Sequence, residues 1–281
     1  MDVAINNKYI IIKKIGEGSF GTIYKGQNLR TKEYVAIKVE PIRKGTKLLK
    51  NESIIYNHLN NCQGIPSVKW FGKDMVNYYM VINLLGESLQ DLKNKNDSFS
   101  LKLTLQIGIN IINLLKTIHN KGLIHRDIKP DNFLLGVNSK STQIYIIDFG
   151  LCKSFINKEN HIEMKLTHNL IGSRTYASIN AHDYMELSRR DDMESLGYMM
   201  LYFYLGELSW KDLIVCSNKD INDEIKYMKK NLKLEGLPEV LVNYMKYIKS
   251  MEFTEKPNYF LIIDNFKRAI EDISSKTVKN I

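Results

Sequence analysis

Side chains that can move protons or neutralise charge are concentrated in one short stretch, HRDIKPDNFLLG, which runs from His125 to Gly136. A histidine, an arginine, two aspartates, a lysine and an asparagine stand there between apolar residues. Four of the chain's seven arginines lie within this stretch or in the roughly 60 residues after it, and they are Arg126, Arg174, Arg189 and Arg190. Because a guanidinium can form bidentate hydrogen bonds with an anion, this clustering indicates chemistry on an anionic group near the loop.

A glycine-rich stretch, GEGSFGTI from Gly16 to Ile23, fits the pattern GxGxxG. The pattern alone is a weak signal, because a glycine-rich hairpin and a dinucleotide-binding loop also carry it. A dinucleotide loop opens a helix, whereas strand-like YIIIKKI precedes this stretch and TIYKG follows it. We therefore predict a turn between two antiparallel strands, in which glycines let backbone amides approach phosphate oxygens.

A lysine stands in apolar company on the next strand-like run, where VAIK ends at Lys38. A buried ammonium without a counter-charge is costly, so this position requires an acidic partner. Glu52, on the helix predicted to follow, is the natural candidate.

The stretch YIIDFG places Asp148 after an apolar run and before Phe149 and the flexible Gly150. An acid at the end of a buried strand is a candidate metal ligand, although a turn cap has the same appearance. The four motifs occur in a fixed order along one chain, and together they are far more specific than any one of them.

The elements that must position these residues fall into two regions. Five strand-like runs and one helix, from roughly Thr46 to Leu59, precede Gly86; the runs are YIIIKKI, GTIYKGQNL, EYVAIKVE, SVKWFG and NYYMVIN. Helical periods dominate afterwards, first between a Ser100 cap and Gly122, then over Arg189–Tyr204, Asn222–Lys230, Pro238–Met251 and Pro257–Ile270. We predict a hinge near Gly86 between a small β-lobe and a larger helical lobe.

Composition excludes several classes of protein. With 281 residues, 44% hydrophobic and 25% charged, the chain can bury one large or two smaller cores. Its three cysteines, Cys62, Cys152 and Cys216, form no CxxC and its histidines no HExxH, so neither disulfides nor zinc are predicted. No signal peptide or membrane-length apolar run is present in the sequence, and we expect a soluble protein of the cytoplasm or nucleus. The net charge of +9 is typical of a solvated lysine-rich surface, and it also suits acidic or phosphorylated partners.

The ordered motifs resemble those of protein kinases: a glycine-rich loop, the lysine of VAIK, a helix glutamate, HRDxxxxN and DFG. The resemblance implies that Asp127 is the catalytic base and that Lys129 meets the γ-phosphate, as in serine/threonine members. It implies Mg²⁺ ligands at Asn132 and Asp148, and a structural rather than catalytic role for His125. Phosphoryl transfer needs an aligned hydroxyl, a proton acceptor and nearby cations, which one rigid loop can present together.

The same resemblance implies a set of residues around ATP. Gly16, Gly18 and Gly21 are expected to cover the phosphates, and Lys38, paired with Glu52, is expected to hold them. The other residues expected to contact ATP near the glycine-rich stretch are Ile15, Glu17, Ser19, Phe20 and Ile23. Those expected around the base and hinge are Ala36, Ile82, Leu84, Leu85, Leu134 and Ile147.

Within the kinases the chain is similar to the casein kinase I family. The stretches that carry the resemblance are GIPSVKWFG, LLGESLQDL, YIIDFGLCK, TYASINAH and SRRDDMESLGYMMLYF, and the most specific is SIN at 178–180, where most kinases have APE. The family implies an α+β, bilobal kinase fold over residues 9–270, with an N-lobe to residue 85 and a C-lobe from 86. It implies Mg-ATP as donor and, as substrates, proteins whose serine or threonine lies near acidic or already phosphorylated residues. We expect a monomer without the long C-terminal tail of many relatives.

One departure concerns substrate recognition. Relatives have the sequence GTARYAS where this chain has GSRTYAS, so Arg174 lies one position before the arginine of the family's phosphate pocket. Lys226 is the expected second cation of that pocket. On an extended segment a one-residue step turns a side chain to the opposite side, which predicts a weaker pocket. Cys152 replaces a smaller residue after DFGL, and we interpret it as a packing residue.

Two other function classes compete with an active kinase. A pseudokinase scaffold would keep the fold but lose Lys38, Asp127 or Asp148, and all three are present. A nucleic-acid-binding module would suit the pI of 9.2, but it would interleave aromatic residues with arginines on one surface. The tyrosines here follow strand and helix periods instead, so we expect no nucleic-acid partner.

Overall fold

A computed structural model describes residues 4–18, 21–42, 48–211, 213 and 221–279. The chain divides into two compact units. Unit 1 contains the described residues up to Glu87 together with Phe133–Gly150, and unit 2 contains Ser88–Asn132 and the described residues from Leu151 onward. The sequence predicted one boundary near Gly86, and it did not anticipate that residues 133–150 pack with the N-terminal part.

Eleven strands, eight α-helices and three single-turn 3₁₀ helices make up the described regular structure. The strands are β1 Tyr9–Gly18, β2 Gly21–Asn28, β3 Tyr34–Pro41, β4 Val68–Lys73, β5 Asn77–Asn83, β6 Leu123–Ile124, β7 Phe133–Leu135, β8 Ile144–Ile146, β9 Lys153–Ser154, β10 Ile156–Asn157 and β11 Asn160–His161. The helices are α1 Leu48–His58, α2 Leu89–Asn94, α3 Leu101–Asn120, α4 Ile179–His182, α5 Arg189–Leu205, α6 Ile221–Lys230, α7 Glu239–Lys249 and α8 Tyr259–Lys279.

Unit 1 is built on an antiparallel sheet in the order β1-β2-β3-β5-β4. All five predicted strands form, because their β-branched and aromatic residues suit a pleated surface with one face packed. Tyr9, Val35, Ile37 and Val81 form the centre of its core, and each is almost fully buried. Helix α1 begins at Leu48, and Thr46, where the sequence placed its start, lies outside the described residues.

Unit 2 is mainly helical. Helix α3 begins after Ser100, whose Oγ accepts a hydrogen bond from the Leu103 amide at 3.2 Å, and Gly122 follows its end with φ +76°. Both end signals were predicted, because serine caps free amides and glycine tolerates a left-handed backbone. Helix α5 is buried along most of its length and packs against α3 and α7. Within the described residues no helix is both long and apolar enough to cross a membrane.

Candidate active site

Unit 1 brings three of the predicted residues into direct contact. The Lys38 Nζ donates to Glu52 Oε2 at 2.7 Å and to Asp148 Oδ1 at 3.0 Å. Lys38 lies on β3 between Ile23 on β2 and Met80 on β5, and Glu52 is buried on α1. The counter-charge that the apolar setting of Lys38 required is therefore supplied by two carboxylates.

The charge of Lys38 is stabilised by these partners. Burial lowers its pKa, but the charges of Glu52 and Asp148 and the hydrogen bonds to them outweigh burial, so the pKa lies above the ordinary 10.5. Lys38 therefore remains an ammonium at neutral pH, which is the form that can neutralise a phosphate.

Asp148 is held in an unusual backbone conformation. Its φ is +65°, a region that non-glycine residues seldom adopt, and its amide donates to the Tyr56 hydroxyl at 3.3 Å. Phe149, which is buried, packs edge-on against Tyr56 with ring centroids 4.8 Å apart. Tyr56 was missed by the sequence analysis, although its place on α1 one turn after Glu52 was a usable signal.

The glycine-rich stretch joins β1 and β2 as predicted. Gly16 pairs with Ile23 and Gly18 with Gly21 in antiparallel register, whereas Ser19 and Phe20 lie outside the described residues. A side chain at Gly21 would place its Cβ 2.1 Å from the Val39 carbonyl oxygen, so this position requires glycine. The antiparallel geometry excludes a dinucleotide loop that opens a helix at this point.

The residues expected around the base and hinge lie on several elements of unit 1. Ala36 on β3 pairs directly with Ile82 on β5, and the chain continues through Leu84 and Leu85. The Gly86 amide then donates to the Leu135 carbonyl at 2.8 Å, which ties the predicted hinge to β7. Leu134 lies on β7 and Ile147 follows β8, and both are partly buried. Ile15 and Glu17, on β1, are exposed.

Unit 2 holds the second set, on the loop from His125 to Asn132, which we call the HRD loop. The Asp127 carboxylate accepts a hydrogen bond from the Ser173 amide at 2.8 Å and pairs with the Lys129 ammonium at 2.7 Å. The Asn132 Nδ2 donates to the Asp127 backbone carbonyl at 2.8 Å. Asp127 is buried, so its carboxylate is fixed in one orientation by these partners.

A comparison with protein-family models identifies the chain. The model described as protein kinase domain matches residues 9–272, almost the whole sequence. The chain belongs to the protein kinase family. The predicted kinase fold is thereby confirmed, since the described part has the five-stranded antiparallel sheet and the helical C-terminal part.

Two residues of this kinase, one in each unit, carry oxygen atoms of the kind that Mg²⁺ prefers as ligands. The Asn132 amide nitrogen is engaged with Asp127, which leaves its oxygen for a cation, and the Asp148 carboxylate remains partly exposed. Among the described residues no group of three or more His, Cys, Asp or Glu side chains forms a complete metal cage. Mg²⁺ generally keeps several waters and binds through one or two carboxylates together with phosphate oxygens.

A buried aspartate on α5 anchors the HRD loop, and the sequence analysis missed it. Asp192 accepts hydrogen bonds from the backbone amides of His125 at 2.7 Å and Arg126 at 2.8 Å, and His119 Nε2 lies 3.0 Å from it. Arg126 has φ +70°, so these contacts hold a strained turn in the loop. His125 is fully buried, and its Nδ1 accepts from the Asp127 amide at 3.3 Å, a contact that fits a structural role.

The surroundings of Cys152 favour its neutral thiol. Burial, together with the charge of Asp192, raises the pKa of its thiol to about 12. Because only the thiolate is nucleophilic, this cysteine is unreactive at neutral pH.

The two residues expected to bind a substrate phosphate have different surroundings. Arg174 is exposed, and its guanidinium makes no ion pair with any described residue. Lys226, on α6, pairs with Asp183 at 3.2 Å and with Asp223 at 3.1 Å. The available positive charge at this surface therefore belongs to Arg174 more than to Lys226.

Proposed function

We propose that this kinase transfers the γ-phosphate of Mg-ATP to serine or threonine in acidic or already phosphorylated proteins, as casein kinase I does. The observation that carries the proposal is the contact of Asp127 with Lys129 on the HRD loop, 2.7 Å apart. A lysine two places after the catalytic aspartate is the serine/threonine pattern. The SIN sequence at 178–180 supports the casein kinase I type.

Asp127 is suited to accept the proton of the substrate hydroxyl. The Ser173 amide and Lys129 hold its two oxygens in place, so the carboxylate needs little rearrangement when the substrate hydroxyl binds. As the hydroxyl oxygen bonds to the γ-phosphorus, the bond from that phosphorus to the ADP oxygen breaks and the hydroxyl proton passes to Asp127. Lys129 then neutralises charge on the transferred group.

Lys38 is suited to hold the α and β phosphates. Its ammonium is aligned by Glu52, which is buried and therefore restricted to one position. Mg²⁺, when bound, neutralises the phosphate oxygens, with Asp148 and Asn132 as its protein ligands in this proposal. A pseudokinase is the competing hypothesis, and the intact Lys38, Glu52 and Asp148 group argues against it.

The decisive experiment is transfer of labelled phosphate from ATP to casein, followed by identification of the phosphorylated amino acid. We expect label on serine and threonine, dependent on Mg²⁺ and strongly reduced in Asp127→Asn. Label on tyrosine would contradict the serine/threonine assignment. Binding of ATP without any transfer would support the pseudokinase.

Phosphate priming is expected to depend on Arg174 more than on Lys226. A peptide with phosphoserine three residues before the acceptor should be preferred over its unprimed twin, and Arg174→Ala should lower that preference by about threefold to tenfold. Lys226→Ala should lower it less, because Asp183 and Asp223 already neutralise Lys226. The measurement is the ratio of kcat/KM for the two peptides, and a parent ratio of one would contradict recognition of primed substrates.

A further inference from the structure

A lysine on α6 is completely buried and lies against the main chain of the segment that carries Arg174. The Lys229 Nζ donates to the carbonyl of Arg174 at 3.0 Å and to the carbonyl of Ala177 at 2.6 Å. It also lies 3.1 Å from His182 Nε2 on α4. One side chain thus ties two helices to both ends of residues 174–177, which we call the recognition segment.

A tryptophan completes this attachment. The Trp210 Nε1 donates to the Thr175 carbonyl at 2.9 Å, and the Lys229 Nζ lies over the rings of Tyr198 at 4.8 Å and Trp210 at 5.8 Å. Three carbonyls of the recognition segment, those of Arg174, Thr175 and Ala177, therefore face buried donors. The Arg174 side chain remains exposed while its carbonyl is held in the interior.

Burying a charged amino group costs free energy. The presence of Lys229 at a buried position therefore indicates a role that an apolar side chain could not fill. No carboxylate of the described residues lies within ion-pair distance of Lys229, and burial lowers its pKa to about 7 although Glu194 opposes this. Burial and the charge of Lys229 also lower the pKa of His182 to about 3, so its imidazole is uncharged at neutral pH. The amino group supplies hydrogen-bond donors to the carbonyls of Arg174 and Ala177, which no apolar side chain of that size can do.

We propose that Lys229 is a positioning residue for substrate recognition, which fixes the recognition segment so that the Arg174 guanidinium is presented to an acidic or phosphorylated group of the substrate. The proposal rests on the proposed function, since it concerns the same acceptor proteins. Lys229 acts through the backbone of Arg174 and does not itself touch the substrate, because its side chain is fully buried.

The test is a double-mutant cycle with Lys229→Met and Arg174→Ala. Each single variant should lower the primed-to-unprimed ratio of kcat/KM by about threefold to tenfold, and the double variant should show no further loss, because both changes remove the same contact. The KM for ATP should stay at the parent value in all three variants. Independent, multiplicative losses in the double variant would overturn the proposal, as would an unchanged ratio in Lys229→Met.

Two further variants separate positioning from general destabilisation. Lys230→Met removes a neighbouring lysine, which pairs with Asp183 at the surface, and it should keep most of the parent ratio. If Lys229→Met fails to fold, Trp210→Phe removes the donor to the Thr175 carbonyl and keeps an aromatic ring at this position. The proposal requires this variant to lower the ratio while the KM for ATP stays constant. An unchanged ratio in a folded Trp210→Phe would overturn the proposal. Failure of the proposed function is distinguishable, because the parent itself would then transfer no phosphate to serine or threonine.

Discussion

The Asp127→Asn variant should transfer phosphate about 10²- to 10⁴-fold more slowly than the parent, because asparagine keeps the shape of aspartate but cannot accept the hydroxyl proton. The amide would also place a neutral group beside Lys129, which is 2.7 Å from the carboxylate in the parent. The KM for ATP should change little, since the assigned role of Asp127 concerns the acceptor hydroxyl. Single-turnover rates with saturating Mg-ATP measure the effect on chemistry directly.

A matched control lies four residues further along the same loop. Asp131 is exposed, so Asp131→Asn makes the same chemical change without removing the proposed base, and turnover should remain near that of the parent. Circular dichroism and the thermal midpoint should show that both variants are folded. If Asp127→Asn turned over as fast as Asp131→Asn, the role assigned to Asp127 would be wrong.

The sheet of unit 1 could be predicted because its strands carry local signals. Alternation, β-branched residues and turn residues mark β1 to β5 within the sequence itself, and the glycine-rich turn follows from the strands on either side of it. Strands β7 and β8 have only three residues each, too few for a period to be recognised. Residues 133–150 belong to unit 1, where the Gly86 amide donates to the Leu135 carbonyl and the Ile146 amide donates to the Gly64 carbonyl. No local pattern around Gly86 indicates these contacts.

The residues of the candidate site also differ in whether the nearby sequence predicts their contacts. The acidic partner of Lys38 was predictable, because an apolar strand makes the ammonium costly and Glu52 lies on the adjacent helix. Asp192 was not, since it contacts the HRD loop across a sequence separation of 67 residues through backbone amides. Lys229 was missed for the same reason. Its partners are mostly main-chain carbonyls, which every residue has and which therefore leave no mark in a sequence.

Replacing Lys38, which pairs with Glu52 and Asp148, should have a large effect on both activity and stability. Lys38→Met should lower phosphate transfer by at least about 10²-fold, because the phosphates lose a cation that stabilises developing charge. It should also lower the free energy of unfolding by about 3 to 5 kcal/mol, since Glu52 becomes a buried carboxylate without a counter-charge. Glu52 is almost fully buried, so water cannot replace the missing ammonium.

The two consequences of Lys38→Met can be separated by a second substitution. In Lys38→Met with Glu52→Gln the uncompensated charge is gone, so urea unfolding should recover much of the lost stability while phosphate transfer stays as low as in the single variant. Lys13→Met, at an exposed position on β1, removes a lysine from the same sheet and should leave both quantities unchanged. Recovery of activity together with stability would mean that Lys38 serves only to neutralise Glu52, and its assignment to the ATP phosphates would then be wrong.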